Sequence, residues 1–362
     1  MKLMILTSYD DTHMGNWFDE SFIYELKKLD YSVNLIKLKP HDSIMEFKEQ
    51  ILFDLASCKF DYFITTFNHK TINSKLINEI NKYTKSILLL CDNLIIPFEH
   101  KKIAQYYNLV WLTSKETQYL FQRWKANSIF LPYAATVKNL DGYNLLANPL
   151  IRRVVFIGSP YGSRVNIINK LLSKGIPVDI YKPQNVSVEK KTKRPSIKVF
   201  YNFIRFNIGR KIIIAKFLQM FLIKPILDIE NKNLNIFPGL SLEEMQETYK
   251  KYALCLSSVH ARNTGILKSP VEIVNLRNFE IPSSGGIQFC QRTSEMTNYF
   301  EDNKEIVFYN SLEVIDKIAR KILINYSDYQ LYEIQKNAYM RAKHSHTWSK
   351  RFEILFNYLE RK

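Results

Sequence analysis

The stretch Glu272-Ile273-Val274-Asn275-Leu276-Arg277-Asn278-Phe279-Glu280-Ile281-Pro282-Ser283-Ser284-Gly285-Gly286 carries the most information in this 362-residue chain. Two glutamates stand with seven residues between them. The second precedes a small, Gly-rich segment and then the apolar run Ile287–Phe289. A carboxylate in that place can accept two hydrogen bonds from a ribose diol, while N–H groups of the following turn approach a diphosphate. The same glutamates read equally well as solvated helix residues, and spacing alone does not separate the two readings. Glycine is scarce, at 10 residues, and Gly285-Gly286 is the one adjacent pair.

Working outward, short apolar runs alternate with amphipathic stretches. Leu3–Thr7, Tyr31–Leu38, Tyr62–Thr66, Ser86–Cys91, Asn108–Thr113 and Ser128–Leu131 read as strands. Helical periodicity falls at Trp17–Leu29, Ser43–Cys58, Thr71–Lys82 and Lys115–Trp124. That alternation predicts a parallel α/β sheet. A polar stretch around Asn139, Asp141 and Gly142 interrupts it, and alternation restarts with Val154–Ile157, Arg164–Lys174 and Val178–Tyr181. The division expected is a first Rossmann-like domain over 1–137, a linker over 138–150, a second domain over 151–345 and a closing helix over 346–362. At about 100–200 residues per domain, two domains also fit the length.

Val154-Val155-Phe156-Ile157-Gly158-Ser159-Pro160-Tyr161-Gly162-Ser163-Arg164 is a buried strand, a glycine-containing turn and a helix start. Such geometry turns backbone N–H groups and a helix N-terminus toward an anion. Arg164 could reach a phosphate. The spacing is not G-x-G-x-x-G, so a dinucleotide fingerprint is absent. His260 and Arg262 follow the strand-like Ala253–Val259, with Lys268 beyond them as a further phosphate-neutralising candidate. Asp92 sits at the carboxyl end of an apolar strand, where open α/β sheets hold ligands, and is an acceptor-side base or a turn residue. His344-x-His346 lacks a third ligand, no D-x-D occurs, and the four cysteines form no C-x-x-C pair. No metal site is expected, and the thiols read as free ones of a reducing compartment.

Lys plus Arg is 51 against 35 for Asp plus Glu, a formal charge of +16. Residues 190–224 hold ten basic side chains and no acid, interleaved with large apolar ones. The segment therefore reads as an interfacial membrane anchor or as a helical insertion with a basic rim. Lys198, Arg205 and Lys216 fall on one side of a helical wheel. Because one insertion carries most of the excess charge, nucleic acid is not the expected partner. No run of 18 uncharged apolar residues exists to span a bilayer.

Arg277-x-Phe279-Glu280-Ile281-Pro282-x-x-Gly285-Gly286 resembles the R-x-F-E-x-x-x-x-G signature of CgeB-like spore-maturation glycosyltransferases. Phe156-Ile157-Gly158-Ser159 with Arg164 is similar to that family's opening of the second domain, and Lys304–Tyr309 to its G-K-E-I-V-x-Y strand, with Asn303 in place of the Gly. His346-Thr347-Trp348 followed by Arg351 is similar to its terminal H-T-[YW]-x-x-R. The resemblance covers residues 86–360 and is best from 270 to 352. It implies a GT-B fold, two Rossmann-like domains facing a cleft, and metal-independent transfer from a nucleotide-sugar. Glu280 would hold the ribose, with Ser284, Gly285 and Gly286 near the diphosphate. Arg277, Gly158, Ser159, Arg164, His260 and Lys268 would complete the donor site. Glu272 falls where retaining enzymes of the family-four type place a glutamate. Together with 190–224, the expectation is a cytoplasmic enzyme at the inner membrane face, acting on a glycolipid or surface-polysaccharide precursor. The competing expectation is a non-catalytic, membrane-associated nucleotide-binding scaffold.

Overall fold

In a computed structural model the chain is described over residues 1–9, 13–39, 41–91, 93–94, 97–137, 149–183, 201, 203–221 and 225–361. It divides into two compact units. The first comprises Met1–Tyr133 with Trp348–Lys362, and the second Ala134–Thr347. The break falls after Tyr133, and the closing helix, Trp348–Glu360, belongs with the first unit. Most of the expected linker, 138–148, lies outside the described residues.

The first unit is built on six strands, β1 (Lys2–Ser8), β2 (Ser32–Leu38), β3 (Tyr62–Thr65), β4 (Lys85–Leu90), β5 (Leu109–Leu112) and β6 (Ser128–Phe130). They pair in parallel in the order β2-β1-β3-β4-β5-β6. β3, β4 and β5 are almost wholly buried, as strands covered on both faces must be. The helix read over Trp17–Leu29 is not one regular piece: His13–Trp17 and Tyr24–Lys28 flank a π-helical stretch, Phe18–Ile23. Phe22 on that stretch meets Trp111 of β5, and Trp348 and Phe352 of the closing helix. Trp348 and Trp17 rings stand 5.6 Å apart. Arg351 Nε donates to the Pro132 carbonyl over 3.0 Å. The last helix thus fills the aromatic core of the first unit, although over two hundred positions separate it from that unit's other residues.

The second unit has six strands too, β7 (Ile151–Ile157), β8 (Val178–Lys182), β9 (Leu234–Pro238), β10 (Tyr252–Leu256), β11 (Gln288–Gln291) and β12 (Val307–Tyr309), in the order β12-β11-β10-β7-β8-β9. β9 carries no clear signal in the sequence. It is an edge strand, half exposed, so its alternation is weak. Asp179 of β8 ties the edge together: it accepts from Arg153 Nε at 2.6 Å, Asn235 Nδ2 at 2.9 Å and the Tyr252 hydroxyl at 2.7 Å.

This strand order is doubly wound, reversing direction between β7 and β10. At such a reversal, loops leaving the carboxyl ends of two neighbouring strands diverge to opposite faces and open a crevice. The site must be sought after β7 and after β10.

Of the basic insertion, residues 201 and 203–221 are described, and Lys198 is not among them. A regular helix runs over Asn207–Phe221, with Ile212 and Ala215 buried inward. Arg205 precedes this helix, so the wheel that joined it to Lys216 does not hold. The outward side of the helix combines exposed apolar residues with Arg210 and Lys216.

Candidate functional site

After β7 the chain turns through Gly158 (φ +135°) and Gly162 (φ +58°) into the helix Ser163–Ser173. After β10 it makes a folded-back loop. The Ala261 N–H donates to the Val271 carbonyl and the Ile273 N–H to the Val259 carbonyl, both at 2.8 Å, and His260 bridges antiparallel to Glu272. Asn275 then starts the helix Arg277–Ser283. Its side chain accepts from the Arg277 N–H at 3.1 Å and donates to the Ser258 carbonyl at 2.8 Å. Asn278 anchors the helix from below by donating to Ser257 Oγ at 3.1 Å.

These loops are packed so closely that side chains are excluded at three glycines. A Cβ at Gly158 would lie 2.9 Å from Arg277 Nη1, and one at Gly162 2.0 Å from Asn263 Oδ1. One at Gly265 would fall 2.8 Å from His260 Nδ1. The positive φ at Gly158 and Gly162 adds a second requirement for glycine. The sequence-expected Gly158, Arg164, His260 and Arg277 are therefore brought together, with Ser159 accepting from Arg164 Nη1 through its carbonyl at 3.3 Å.

Glu280 lies in the first turn of the Arg277–Ser283 helix and is buried, at 5% exposure, so the solvated reading is excluded. Among the described residues its Oε1 has no hydrogen-bond partner, nor has Arg277 Nε. Burial pushes the Glu280 carboxyl up to about 7, against the pull of the Arg277 guanidinium. Arg164 stacks on the Tyr161 ring at 4.5 Å. Its guanidinium is lowered in basicity by burial and also by the like charge of Arg277, while Tyr161 opposes the shift. Burial likewise lowers His260 to about 4, which leaves it neutral near neutral pH. Two half-buried guanidiniums and a buried carboxyl with one unpartnered oxygen among the described residues make a site with unused capacity for an anion and for hydroxyl donors.

Two residues that bear on this site were not singled out in the sequence. Tyr249, at the end of the helix Leu242–Tyr249, is buried and its hydroxyl is raised by that burial, with Arg277 and Glu280 as its charged neighbours. Nothing in its flanking sequence marks it. Asn263 is marked only indirectly, through the glycine it crowds.

Other expectations are placed differently. The N–H groups of Gly285 and Gly286 are not free for a diphosphate. The Arg277–Ser283 helix runs from the carboxyl edge of the sheet back to the amino edge where β11 begins, so the pair lies at the edge opposite the crevice. Their N–H groups are consumed in ending that helix, Gly285 to the Pro282 carbonyl at 3.0 Å and Gly286 to the Ile281 carbonyl at 2.9 Å. Ser284 is likewise internal, its Oγ donating to the Glu280 carbonyl at 2.7 Å. Gly285 at φ +76° is a helix stop. Glu272 and Lys268 are exposed on the loop after β10. Asp92 lies outside the described residues. His346 stacks near Phe279, 5.2 Å between rings, and pairs through Nε2 with the Tyr299 carbonyl at 3.1 Å. It supports the helix carrying Glu280. Among the described residues no group of three His, Cys, Asp or Glu is arranged to hold a metal.

The family described as Glycosyl transferase-like matches residues 230–357, which include β9 through most of the closing helix and the whole Glu272–Gly286 stretch. Solved structures match along the full length. HepE of Anabaena, solved in complex with UDP-glucose, is 9% identical with a TM-score of 0.57 and 100% of both chains covered. A glycosyltransferase of Rickettsia africae gives 12% and 0.56, covering 98% of this chain and 97% of its own. Sucrose-phosphate synthase of Thermosynechococcus elongatus gives 11% and 0.54, with 99% of each covered. No curated protein matches by sequence. The fold is therefore GT-B, with two doubly wound parallel α/β units. The matched domain gives the enzyme class, glycosyltransferase.

Proposed function

We propose that the second unit binds a nucleotide-sugar at the crevice between β7 and β10, and that the chain transfers the sugar to a glycan or glycolipid acceptor. The observation that carries this reading is Glu280: a buried carboxylate oxygen without a partner among the described residues, beside the Arg277 guanidinium, at the topological switch point. Its two oxygens suit the vicinal hydroxyls of a ribose. Arg277 and Arg164 suit the diphosphate, where they neutralise the charge that develops as the bond from the sugar's anomeric carbon to the diphosphate oxygen breaks. The bonding pair leaves on that oxygen, the acceptor hydroxyl oxygen forms the new glycosidic bond, and the acceptor's proton passes to the departing diphosphate oxygen. Glu272, exposed on the loop from which the helix of Glu280 starts, is the candidate to face the transferred sugar, as in a retaining enzyme. With two arginines supplying the positive charge, the reaction needs no metal. The acceptor is a glycolipid or surface-polysaccharide precursor, met at the cytoplasmic face of a membrane. A scaffold that binds no nucleotide leaves the unused capacity at Glu280 unexplained.

The test is a thermal-shift screen against UDP, GDP, CMP and their sugars, with and without EDTA. One nucleotide class should raise the unfolding midpoint, by the mass-action stabilisation of a ligand that binds only the folded state. The rise and any turnover should persist in chelator. No shift with any nucleotide would sink the donor-site assignment. Turnover lost in EDTA and restored by Mg²⁺ would sink the metal-free chemistry alone.

A further inference from the structure

The helix Asn207–Phe221 presents an apolar stripe to solvent. Ile214, Phe217, Met220 and Phe221 are 52%, 58%, 61% and 62% exposed. Arg210, Ile214, Phe217 and Phe221 recur at helical spacing along one side, while Ile212 and Ala215 face inward and are buried. The Phe217 and Phe221 rings touch, with centroids 4.6 Å apart. A solvent-facing helix keeps a polar side outward, whereas this one is apolar on both its inward and its outward sides. The inward side rests on the site: Lys211 Nζ donates to Ser269 Oγ at 2.9 Å, on the loop that leads from His260 to Glu272.

We infer that the outward face of the Asn207–Phe221 helix docks on an anionic lipid bilayer, lying in the interface with its aromatic side chains at the acyl boundary. Two features choose this occupant. Arg210 stands within the stripe and Lys216 beside it, and the sequence segment 190–224 that contains the helix holds ten cations and no anion. A second copy seated on this face would set Arg210 and Lys216 against cations of the same segment. Anionic headgroups take the cations while the acyl region takes Phe217, Met220 and Phe221. The stems of Arg and Lys reach from an embedded helix to the headgroups. Among the described residues no helix is long and apolar enough to cross a membrane, so the attachment is to the surface. Docking does not depend on the donor chemistry. It does bring the loop after β10, held by Lys211, to the bilayer.

The test is flotation of the whole protein with phosphatidylcholine vesicles containing roughly 30 mol % phosphatidylglycerol, at about 0.15 M salt, against pure phosphatidylcholine. The parent should float with the anionic vesicles and much less with the neutral ones. Phe217→Ser/Phe221→Ser should lower the partition coefficient at least about tenfold, and Arg210→Glu/Lys216→Glu by a similar factor. Both variants should keep the parent's unfolding midpoint and nucleotide affinity, because these side chains point away from the site. Equal flotation of parent and both variants would overturn the inference. So would no flotation by the parent together with a dimer that Phe217→Ser/Phe221→Ser dissociates, which would assign the face to a second copy. Loss of nucleotide binding with flotation intact would damage the donor-site reading and leave the docking face standing.

Discussion

At the residue scale, Glu280 concentrates what the site asks of the chain. Its folded carboxyl is raised by burial to about 7 from 4.5. Below about pH 4.5 it is protonated folded and unfolded, and costs nothing. Between about 4.5 and 7 the unfolded chain ionises while the folded one resists, so stability falls by roughly 3 kcal/mol across that window and levels off above it. His260 and His100, both lowered to about 4 by burial, act with the opposite sign as pH falls below 6.5. The difference between parent and Glu280→Gln therefore isolates the carboxyl. In denaturant unfolding without nucleotide, the stability of the variant relative to the parent should rise between about pH 4.5 and 7. Nucleotide affinity should drop about 10- to 100-fold in Glu280→Ala, the scale of one hydrogen bond to a charged group. Isothermal titration giving equal affinities would remove Glu280 from the donor site.

At the scale of elements, two glycines of similar appearance in the sequence do different work. Gly158 ends β7 at φ +135° against Arg277, whereas Gly285 ends a helix at φ +76° on the other edge of the sheet. Gly158→Ala has to displace the Arg277 guanidinium as well as strain the backbone. It should weaken nucleotide binding about tenfold or more, the cost of disturbing one charge-assisted contact. Gly285→Ala should cost about 1–2 kcal/mol of stability for a left-handed residue bearing a Cβ, and leave nucleotide affinity unchanged. Titration and unfolding of the pair distinguish a site glycine from a helix stop. If Gly285→Ala alone impaired binding, the diphosphate would have to be placed at the Gly-Gly turn after all.

At the scale of the whole molecule, the closing helix is what makes the first unit depend on the far end of the chain. Trp348 packs at 1% exposure against Trp17, Phe22, Trp111 and Phe352. Trp348→Ala should destabilise the first unit by about 3–5 kcal/mol, the usual cost of emptying a large aromatic site. Because the helix joins the first unit and not the second, nucleotide should still protect the second unit in this variant. Urea unfolding followed with and without nucleotide checks it. A variant that loses nucleotide protection along with stability would show that the two units do not unfold separately.

The sequence by itself determined the α/β class, because apolar runs of strand length alternating with amphipathic stretches admit little else. It also singled out Glu280, Arg277, Gly158 and Arg164 as one candidate set, since their types and local order are legible as a resemblance without knowing where they meet. Three things were decided only by the tertiary structure. The strand order, with β9 at an exposed edge, put the reversal between β7 and β10, and pairing of strands far apart in sequence leaves no local trace. The end of the Arg277–Ser283 helix separated the roles of Glu280 and of Gly285 and Gly286, neighbours in sequence of which the second pair is spent on ending the helix. The burial of Glu280 came last, since a carboxylate becomes an unpartnered, raised group only when the walls around it come from β7, from the loop after β10 and from Tyr249.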